Sequence, residues 1–502
     1  MHGRVAVLLL LVIGSVLSAS LNKGTTGFNR KRWLIHGRPW HGLRPSPPAV
    51  SNDEVSPTQF MTQPIDHDGS VSGTFQQQYW YNKQWYKKNG PAFLMLGGEG
   101  PEDGSWTGNP DLEWTKLGIE LGAMFFDIEH RYYGNSLPYP SPNSEQLKFL
   151  SSRQALADMA NFIKAMNKKF GPFDKWIVFG GSYSGNLAAW AREQYPDLVY
   201  GSVASSAPVQ AEVDFYQYLE VVQYAFNQTD VQCAENIHES FVQLNSLAKT
   251  SAGKKSISSM FNICEDLNSA SALDITQFWG SIIGNFMGVV QYGGDNAGVY
   301  RTQITPKVVC SMMNNKNYDV LTRLANVNTW SMQNNGEECV DISYNNYINY
   351  MKNPEASDRA WLWQTCTEFG YYQTTDSPTA GPFFGDENKA FMPVAESVKE
   401  CDQIFGDAYA NSKEVYDAIK KTNKFYGGAH GIKTTRIVFP NGSHDPWHAL
   451  GVLKQYSPES PTILIPGTAH CADMYNDSPD DLPGLTKARK EIRKTVLGWF
   501  NK

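Results

Sequence analysis

Short apolar runs alternate with segments of helical periodicity over residues 92–213. Four runs predict buried strands, and these are AFLML (92–96), AMFFDI (123–128), WIVFG (176–180) and SVASS (202–206). Between them, residues 112–122 and 151–170 predict helices, the second with Leu156, Met159 and Ile163 at helical spacing. Strands that are apolar throughout and alternate with helices predict a parallel sheet covered on both faces, an α/β fold.

The pattern changes after residue 213. Residues 214–430 contain helix-like segments rich in Asn, Gln and Tyr, and no regular strand alternation. The strand-then-loop pattern returns at 434–447 and 460–470, and an amphipathic helix closes the chain at 485–500. We therefore predict an α/β domain in two parts, residues 56–213 and 431–502, with a mostly helical domain inserted at 214–430.

The first residues predict a processing segment. A basic residue, Arg4, precedes the apolar run 5–13, and small residues follow near 18–20, which is typical of a secretory signal peptide over residues 1–20. Residues 21–55 are basic, rich in Gly and Pro and without periodicity, which predicts a flexible leader or propeptide. No later run is long enough for a membrane-spanning helix, so we expect a secreted or lysosomal protein without a stable membrane anchor.

Composition narrows the function classes. The net charge of −7 provides no basic stripe, which argues against a nucleic-acid partner. All seven cysteines follow Tyr200 without C-x-x-C spacing, so disulfides are favoured over a zinc site, and the odd count leaves one cysteine over. The sequence also contains three N-glycosylation sequons, at Asn227, Asn441 and Asn476.

Residues 176–191, WIVFGGSYSGNLAAWA, read as a strand, a sharp turn and a helix with Ser182 in the turn. This is the context in which a G-x-S-x-G motif presents a nucleophilic serine, although Ser184 replaces the second glycine and Gly185 follows it. Two alternatives stay open at this point. Ser182 could instead be a turn residue that caps the helix, or Ser184 could be the nucleophile.

A nucleophilic serine needs a base, and in this fold the chain order is Ser, then acid, then His. Asp445 and His470 follow the two late strands, so both are expected at the C-terminal edge of the sheet beside Ser182. His444 and His448 lie too close to Asp445 to be presented by another strand. His430 precedes its strand.

An acyl-transfer site also needs two backbone N–H groups for the oxyanion. Tyr183, the residue after Ser182, is one candidate. The second candidate is Gly98, in the glycine-rich loop of residues 93–104. The alternative is that this loop is an ordinary glycine-rich turn.

Several motifs together carry a resemblance to a known family. They are LGGEGP (96–101), IEHRYYG (128–134), LSSRQALAD (150–158), GGSYSGNLAAWAREQYPDLVYGSVASSAPV (180–209), WQTCTEFGYY (363–372), NGSHDPW (441–447) and GTAHCADM (467–474). From about residue 55 to its end, the chain resembles the family of prolyl carboxypeptidase and dipeptidyl peptidase II. The resemblance implies an α/β-hydrolase fold with a helical cap domain, and a serine exopeptidase that cleaves after proline.

The same resemblance assigns roles to individual residues. Ser182, Asp445 and His470 match the triad of the family, and Trp447 falls where the family has an aromatic wall of the proline pocket. Asn186 and Tyr371 fall near apolar pocket positions, so the polar Asn186 is a departure from the pattern. The resemblance further implies three disulfides, Cys233–Cys310, Cys264–Cys339 and Cys366–Cys401, with Cys471 left over.

The expected function is therefore a serine exopeptidase acting on short peptides, with no metal and no organic cofactor. An esterase or lipase and a catalytically silent binding protein are the alternatives, and a homodimer is left open. The sequence also does not decide whether the enzyme binds the amino or the carboxyl terminus of its peptide substrate. Glu99 and Glu368 are candidates to bind a substrate amine, or else are buried structural carboxylates.

Overall fold

The computed structural model describes residues 55–293 and 304–501, and the backbone of two short paired strands, β1 (Leu34–Ile35) and β2 (Arg38–Pro39). The predicted signal peptide and most of the predicted leader lie outside the described residues. None of the helices in the described ranges is long and apolar enough to cross a membrane.

The centre of the molecule is an eight-stranded sheet with the order β12-β11-β8-β7-β5-β6-β4-β3. Its strands are β3 (Gln59–Pro64), β4 (Thr74–Asn82), β5 (Ala92–Leu96), β6 (Met124–Ile128), β7 (Trp176–Gly181), β8 (Gly201–Ser205), β11 (Ile437–Gly442) and β12 (Thr462–Ile465). The six strands from β6 to β12 in this order are parallel, whereas β4 pairs antiparallel with both β6 and β3. The predicted parallel sheet is thus confirmed for the centre, and an antiparallel hairpin extends one edge.

Helices cover both faces of this sheet, as the apolar strands require. They are α1 (Ser105–Gly108), α2 (Glu113–Leu121), α3 (Ser144–Leu147), α4 (Ser152–Phe170), α5 (Tyr183–Gln194) and α19 (Pro483–Phe500). Successive strand residues point to opposite faces. Leu94 accordingly packs in one core cluster with Ile163 of α4, and its neighbour Phe93 packs in another with Leu117 of α2.

The chain between β8 and β11 is mostly helical. Its elements are β9 (Glu212–Asp214), α6 (Gln217–Thr229), α7 (Val231–Ala248), α8 (Ser251–Met260), α9 (Ala272–Gln291), α10 (Pro306–Met313), α11 (Val320–Asn335), α12 (Tyr344–Lys352), α13 (Arg359–Gln364), a π-helical turn (Thr365–Phe369), β10 (Gly370–Tyr372), α14 (Ala380–Phe383), α15 (Val394–Phe405), α16 (Asp407–Ala410), α17 (Ser412–Tyr426) and α18 (Gly428–Gly431). We refer to residues 212–432 as the helical region, and to residues 55–211 and 433–501 as the sheet region. Within the helical region β9 and β10 form a small parallel pair.

All three disulfides lie in the helical region. They join Cys233 to Cys310, Cys264 to Cys339 and Cys366 to Cys401, the pairs that the family resemblance implies. Cys471, in the sheet region, is free and buried. The mostly parallel sheet with helices on both faces makes the molecule an α/β hydrolase by fold.

Candidate active site

Strands β7, β11 and β12 are parallel, so their carboxyl ends meet at one edge of the sheet. Ser182 directly follows β7, and Asp445 and His470 lie in the loops after β11 and β12. This shared edge is where open α/β sheets bind ligands. The fold therefore brings the three predicted residues to one place although 288 positions separate Ser182 from His470 in the sequence.

Ser182 occupies a strained turn between β7 and α5. Its backbone has φ 63° and ψ −132°, a conformation that residues other than glycine rarely adopt. Its N–H donates to the Ser205 carbonyl at 3.0 Å, which fixes the turn against the end of β8. The turn tolerates no larger neighbours, since a Cβ at Gly180 would lie 2.1 Å from the Ser184 carbonyl oxygen and one at Gly185 would lie 2.7 Å from that of Ser205.

Ser184 has a different place in the same turn. Its hydroxyl donates to the Gly181 carbonyl at 2.8 Å and accepts from the Gly181 N–H at 3.0 Å. The side chain thereby closes the turn internally, which explains why serine is accepted where the motif has glycine. A hydroxyl engaged in this way with its own turn is not presented to a ligand, so the geometry favours Ser182.

Asp445 and His470 form a buried pair. The Asp445 Oδ2 and the His470 Nδ1 are 2.9 Å apart, and the two side chains are 0% and 1% exposed. The other carboxylate oxygen of Asp445 accepts the Trp447 N–H at 3.0 Å. A carboxylate on Nδ1 fixes the imidazole tautomer and orients Nε2 away from the acid, as a general base requires.

The competing histidines have other contacts. The His448 Nδ1 is 2.6 Å from the main-chain oxygen of Asp445, not from its carboxylate, and the His444 ring packs against Tyr224.

The loop that carries His470 rests on the turn that carries Ser182. The Cys471 N–H donates to the Ser206 hydroxyl at 2.8 Å. Burial raises the pKa of the Cys471 thiol well above its usual value, against the opposing effect of a hydrogen bond with the Ser182 backbone. Cys471 is thus part of the contact between the two loops and not an exposed reactive thiol.

The glycine-rich loop packs against the first turn of α5. A Cβ at Gly98 would lie 3.4 Å from the Ser184 Cβ, and one at Gly97 would lie 2.7 Å from the Ile128 carbonyl oxygen. The backbone of this loop therefore runs beside the N-terminus of α5, where Tyr183 is the first helical residue. The N-terminal N–H groups of a helix are a favourable environment for an oxyanion.

An aromatic wall lies next to the Asp445–His470 pair. The buried Trp447 ring is centred 6.3 Å from the His470 ring, 5.2 Å from Tyr371 and 5.3 Å from Phe215. Asn186 joins this wall, because its Nδ2 is 3.2 Å from the Tyr371 hydroxyl. Tyr371 itself has a positive φ of 63° and follows Gly370 at φ 72°.

The two candidate acids differ in their surroundings. Glu368 accepts hydrogen bonds from both the N–H and the hydroxyl of Ser152, at the first residue of α4, which identifies it as a structural carboxylate. Glu99, by contrast, is 7% exposed and neither of its carboxylate oxygens has a hydrogen-bond partner among the described residues. Burial raises the pKa of Glu99 to about 8.

One site residue was missed in the sequence. Gln291, the last residue of α9, accepts the His470 N–H on its main-chain oxygen at 3.1 Å. Its side-chain Oε1 accepts from the Trp447 Nε1 at 3.0 Å and from the Tyr218 hydroxyl at 2.6 Å. No local motif marks this position, because its importance arises only when the helical region folds onto the sheet.

The three sequons differ in exposure. Asn227 and Asn476 are half-buried. Asn441 lies within β11 and is 2% exposed, so a glycan on its side chain does not fit this packing.

The arrangement of Ser182, Asp445 and His470 at the sheet edge is the one expected of a serine hydrolase. The profile of the family described as serine carboxypeptidase S28 matches residues 63–492. The chain therefore belongs to this family and is a serine-type peptidase.

Individual relatives agree with this. The chain is 46% identical to a putative serine protease of Caenorhabditis elegans, over 98% of this chain and 97% of that one. It is 32% identical to the thymus-specific serine protease of Homo sapiens (91% and 89% covered) and 29% identical to the lysosomal Pro-X carboxypeptidase of Homo sapiens (88% of each).

Among solved structures, the proline iminopeptidase of Mycobacterium smegmatis aligns with a TM-score of 0.35 at 12% identity, over 88% of this chain and 99% of that one.

Proposed function

We propose that the protein is an exopeptidase that cleaves short peptides through a Ser182–Asp445–His470 triad, preferably after proline. The observation that carries this proposal is the buried Asp445–His470 pair, 2.9 Å between Oδ2 and Nδ1, at the same sheet edge as the strained turn of Ser182.

The reaction proceeds in two steps. The Ser182 hydroxyl attacks the scissile carbonyl carbon while His470 accepts its proton, and Asp445 stabilises the resulting imidazolium. The N–H groups of Tyr183 and of the loop at Gly98 stabilise the oxyanion. His470 then protonates the leaving amine, which leaves an acyl-enzyme on Ser182. Water, deprotonated by His470, attacks this ester and regenerates the free serine.

Three measurements test the proposal. A fluorophosphonate probe should label wild-type protein and not Ser182→Ala. Proline-containing peptides should be hydrolysed with a higher kcat/KM than simple acyl esters, and mass spectrometry of a defined peptide mixture should show cleavage only near chain ends. Labelling together with ester hydrolysis but no peptide cleavage would replace the peptidase by an esterase.

The proline preference is assigned to Trp447. Its indole, next to Asp445 and His470, offers a flat apolar face to a pyrrolidine ring. Trp447→Ala should lower kcat/KM for proline substrates relative to alanine substrates by roughly 1–3 kcal/mol, the usual scale of apolar pocket discrimination. Equal losses on both substrates, with a lowered Tm, would instead make Trp447 a core residue.

The site of action is proposed to be an acidic or extracellular compartment of the secretory route. Three disulfides in the helical region suit an oxidising environment. A tagged chain expressed in a secretory cell should be recovered from lysosomes or from the medium. Recovery from the cytosol would contradict the assignment.

A further inference from the structure

Two buried hydrogen-bond acceptors near Ser182 have no partner among the described residues. They are the carboxylate of Glu99 and the Oδ1 of Asn186, a side chain that is 0% exposed. Buried polar groups without partners are rare and destabilising, so each needs a reason. Both groups are acceptors, so neither can serve as the donor for the other.

The orientation of Asn186 is fixed by its neighbours. Its Nδ2 is 3.3 Å from the Pro208 carbonyl oxygen, an atom that can only accept. The Tyr371 hydroxyl also donates to that carbonyl, so it is left to accept from the same Nδ2. Flipping the amide would place two acceptors in contact, and the Oδ1 therefore remains the atom without a donor.

Glu99 lies close to this amide. The preceding residue, Gly98, rests against Ser184, two positions before Asn186 in the first turn of α5. Glu99 therefore belongs to the loop that packs on the first turn of α5, the turn that carries Asn186. Glu99 and Asn186 thus lie on two backbone segments that pack together, and Asn186 contacts the aromatic wall at Tyr371.

We propose that Glu99 and Asn186 together bind a primary ammonium group of the substrate beside the scissile residue. An ammonium brings three N–H donors and a positive charge, which satisfy the carboxylate and the amide oxygen at once. This inference rests on the proposed peptidase function and deepens it, because it selects peptides held by an amine and not by a terminal carboxylate.

Two sources supply such a group, the α-amino terminus of a short peptide and the side chain of a lysine at the scissile position. Three fluorogenic substrates separate them: Ala-Pro-aminocoumarin with a free amine, its N-acetyl form, and N-acetyl-Ala-Lys-aminocoumarin. Wild-type protein should prefer the free amine over its acetylated form if the α-amino group is bound. It should prefer the acetylated lysine substrate over acetyl-Ala-Pro if the lysine side chain is bound.

The decisive variant is Glu99→Gln. The substitution keeps the shape of a neutral, protonated Glu99, so folding should be preserved. It should abolish the preference for the ammonium-bearing substrate with a loss of about 30-fold or more, the scale of removing one partner of a buried charge pair. Asn186→Leu, which is similar in shape but lacks the acceptor, should reduce the same preference.

Asp111→Asn is the control, since Asp111 is an exposed acid of the segment that follows the same loop. It should leave the substrate ratio unchanged. If Glu99→Gln cleaves all three substrates in wild-type proportions, the ammonium subsite is wrong while the peptidase stands. The subsite is also wrong if the wild type favours acetylated peptides with a free C-terminus. If wild-type Ser182 is neither labelled by a fluorophosphonate nor active on any peptide, the proposed function itself fails.

Discussion

The sheet region and the helical region contribute to the site in different ways. The sheet region supplies Ser182, Asp445 and His470, each in a loop directly after a parallel strand. The helical region supplies Tyr371 and Gln291, which reach the site only through tertiary packing, and it contains every disulfide of the chain. The difference suggests that the sheet region provides the chemistry and the helical region shapes and orients what the chemistry acts on.

The strongest test of this division is the loss of Ser182. Ser182→Ala should lower kcat by about a million-fold, as the loss of a triad serine does in a well-studied protease, and leave Tm close to that of the wild type. Ser184→Ala is the control in the same turn, and it should retain measurable turnover. If Ser184→Ala is inactive and Ser182→Ala is not, the nucleophile is Ser184 and not Ser182.

The next test asks whether the three sheet-region side chains act as one unit. Asp445→Asn should lower kcat by roughly ten-thousand-fold, because His470 then loses the partner that fixes its tautomer. In the Ser182→Ala background the same substitution should have almost no further effect. Losses that multiply in the double variant would assign Asp445 to folding or binding instead.

The sequence contains most of the information on the sheet region. The buried runs at 92–96, 123–128 and 176–180 predict β5, β6 and β7 nearly to the residue, because a fully buried strand has an unambiguous apolar pattern. Chain order and strand position then predict Ser182, Asp445 and His470 as a group, and the structure places Asp445 against His470. The antiparallel hairpin of β3 and β4 was missed, since its strands are polar on one side and contain few apolar runs.

The helical region is much harder to predict from the sequence. Its disulfide pairs follow only from the family resemblance, because six cysteines allow fifteen pairings. Gln291 carries no local signal, and the unpaired oxygen of Asn186 is visible only once Pro208 and Tyr371 are in place. The sequon at Asn441 shows the converse error, a motif that matches while its side chain is buried in β11.

A pair of substitutions in α9 measures how much the helical region contributes to kcat/KM. Gln291→Leu removes the acceptor of the Trp447 Nε1 and the Tyr218 hydroxyl, so Trp447 should lose its orientation and kcat/KM on proline substrates should fall roughly tenfold, as expected for an unsatisfied buried donor. Asn285→Leu, on the same helix, breaks a 3.0 Å hydrogen bond to Asn328 within the helical region. It should lower Tm without changing kcat/KM. Equal kinetic losses in both variants would mean that α9 affects the site through stability alone.

The smallest expected effect is on the pH dependence of stability, and it concerns buried acids of the sheet region. Glu99, Glu129 and Asp473 are buried acids of the sheet region, and burial raises their pKa values to about 8, about 7 and about 6 respectively. The folded chain therefore holds protons on these groups that the unfolded chain releases from about pH 4 upward, so unfolding releases protons over this interval. Stability should be greatest at acidic pH and fall as the pH rises towards 8.

Glu99→Gln tests the cause of this fall, because the variant carries no charge to bury. Its Tm should match the wild type near pH 4.5 and exceed it by a few degrees at pH 8, since about 1 kcal/mol raises Tm by roughly one degree in a chain of this size. An exposed acid of the sheet region, as in Glu491→Gln, serves as the control and should leave the pH profile of Tm unchanged. Parallel profiles for Glu99→Gln and the wild type would show that this carboxylate is already ionised in the folded protein. A hydrogen-bond donor would then stabilise the Glu99 carboxylate at neutral pH, as the N–H and the hydroxyl of Ser152 do for Glu368.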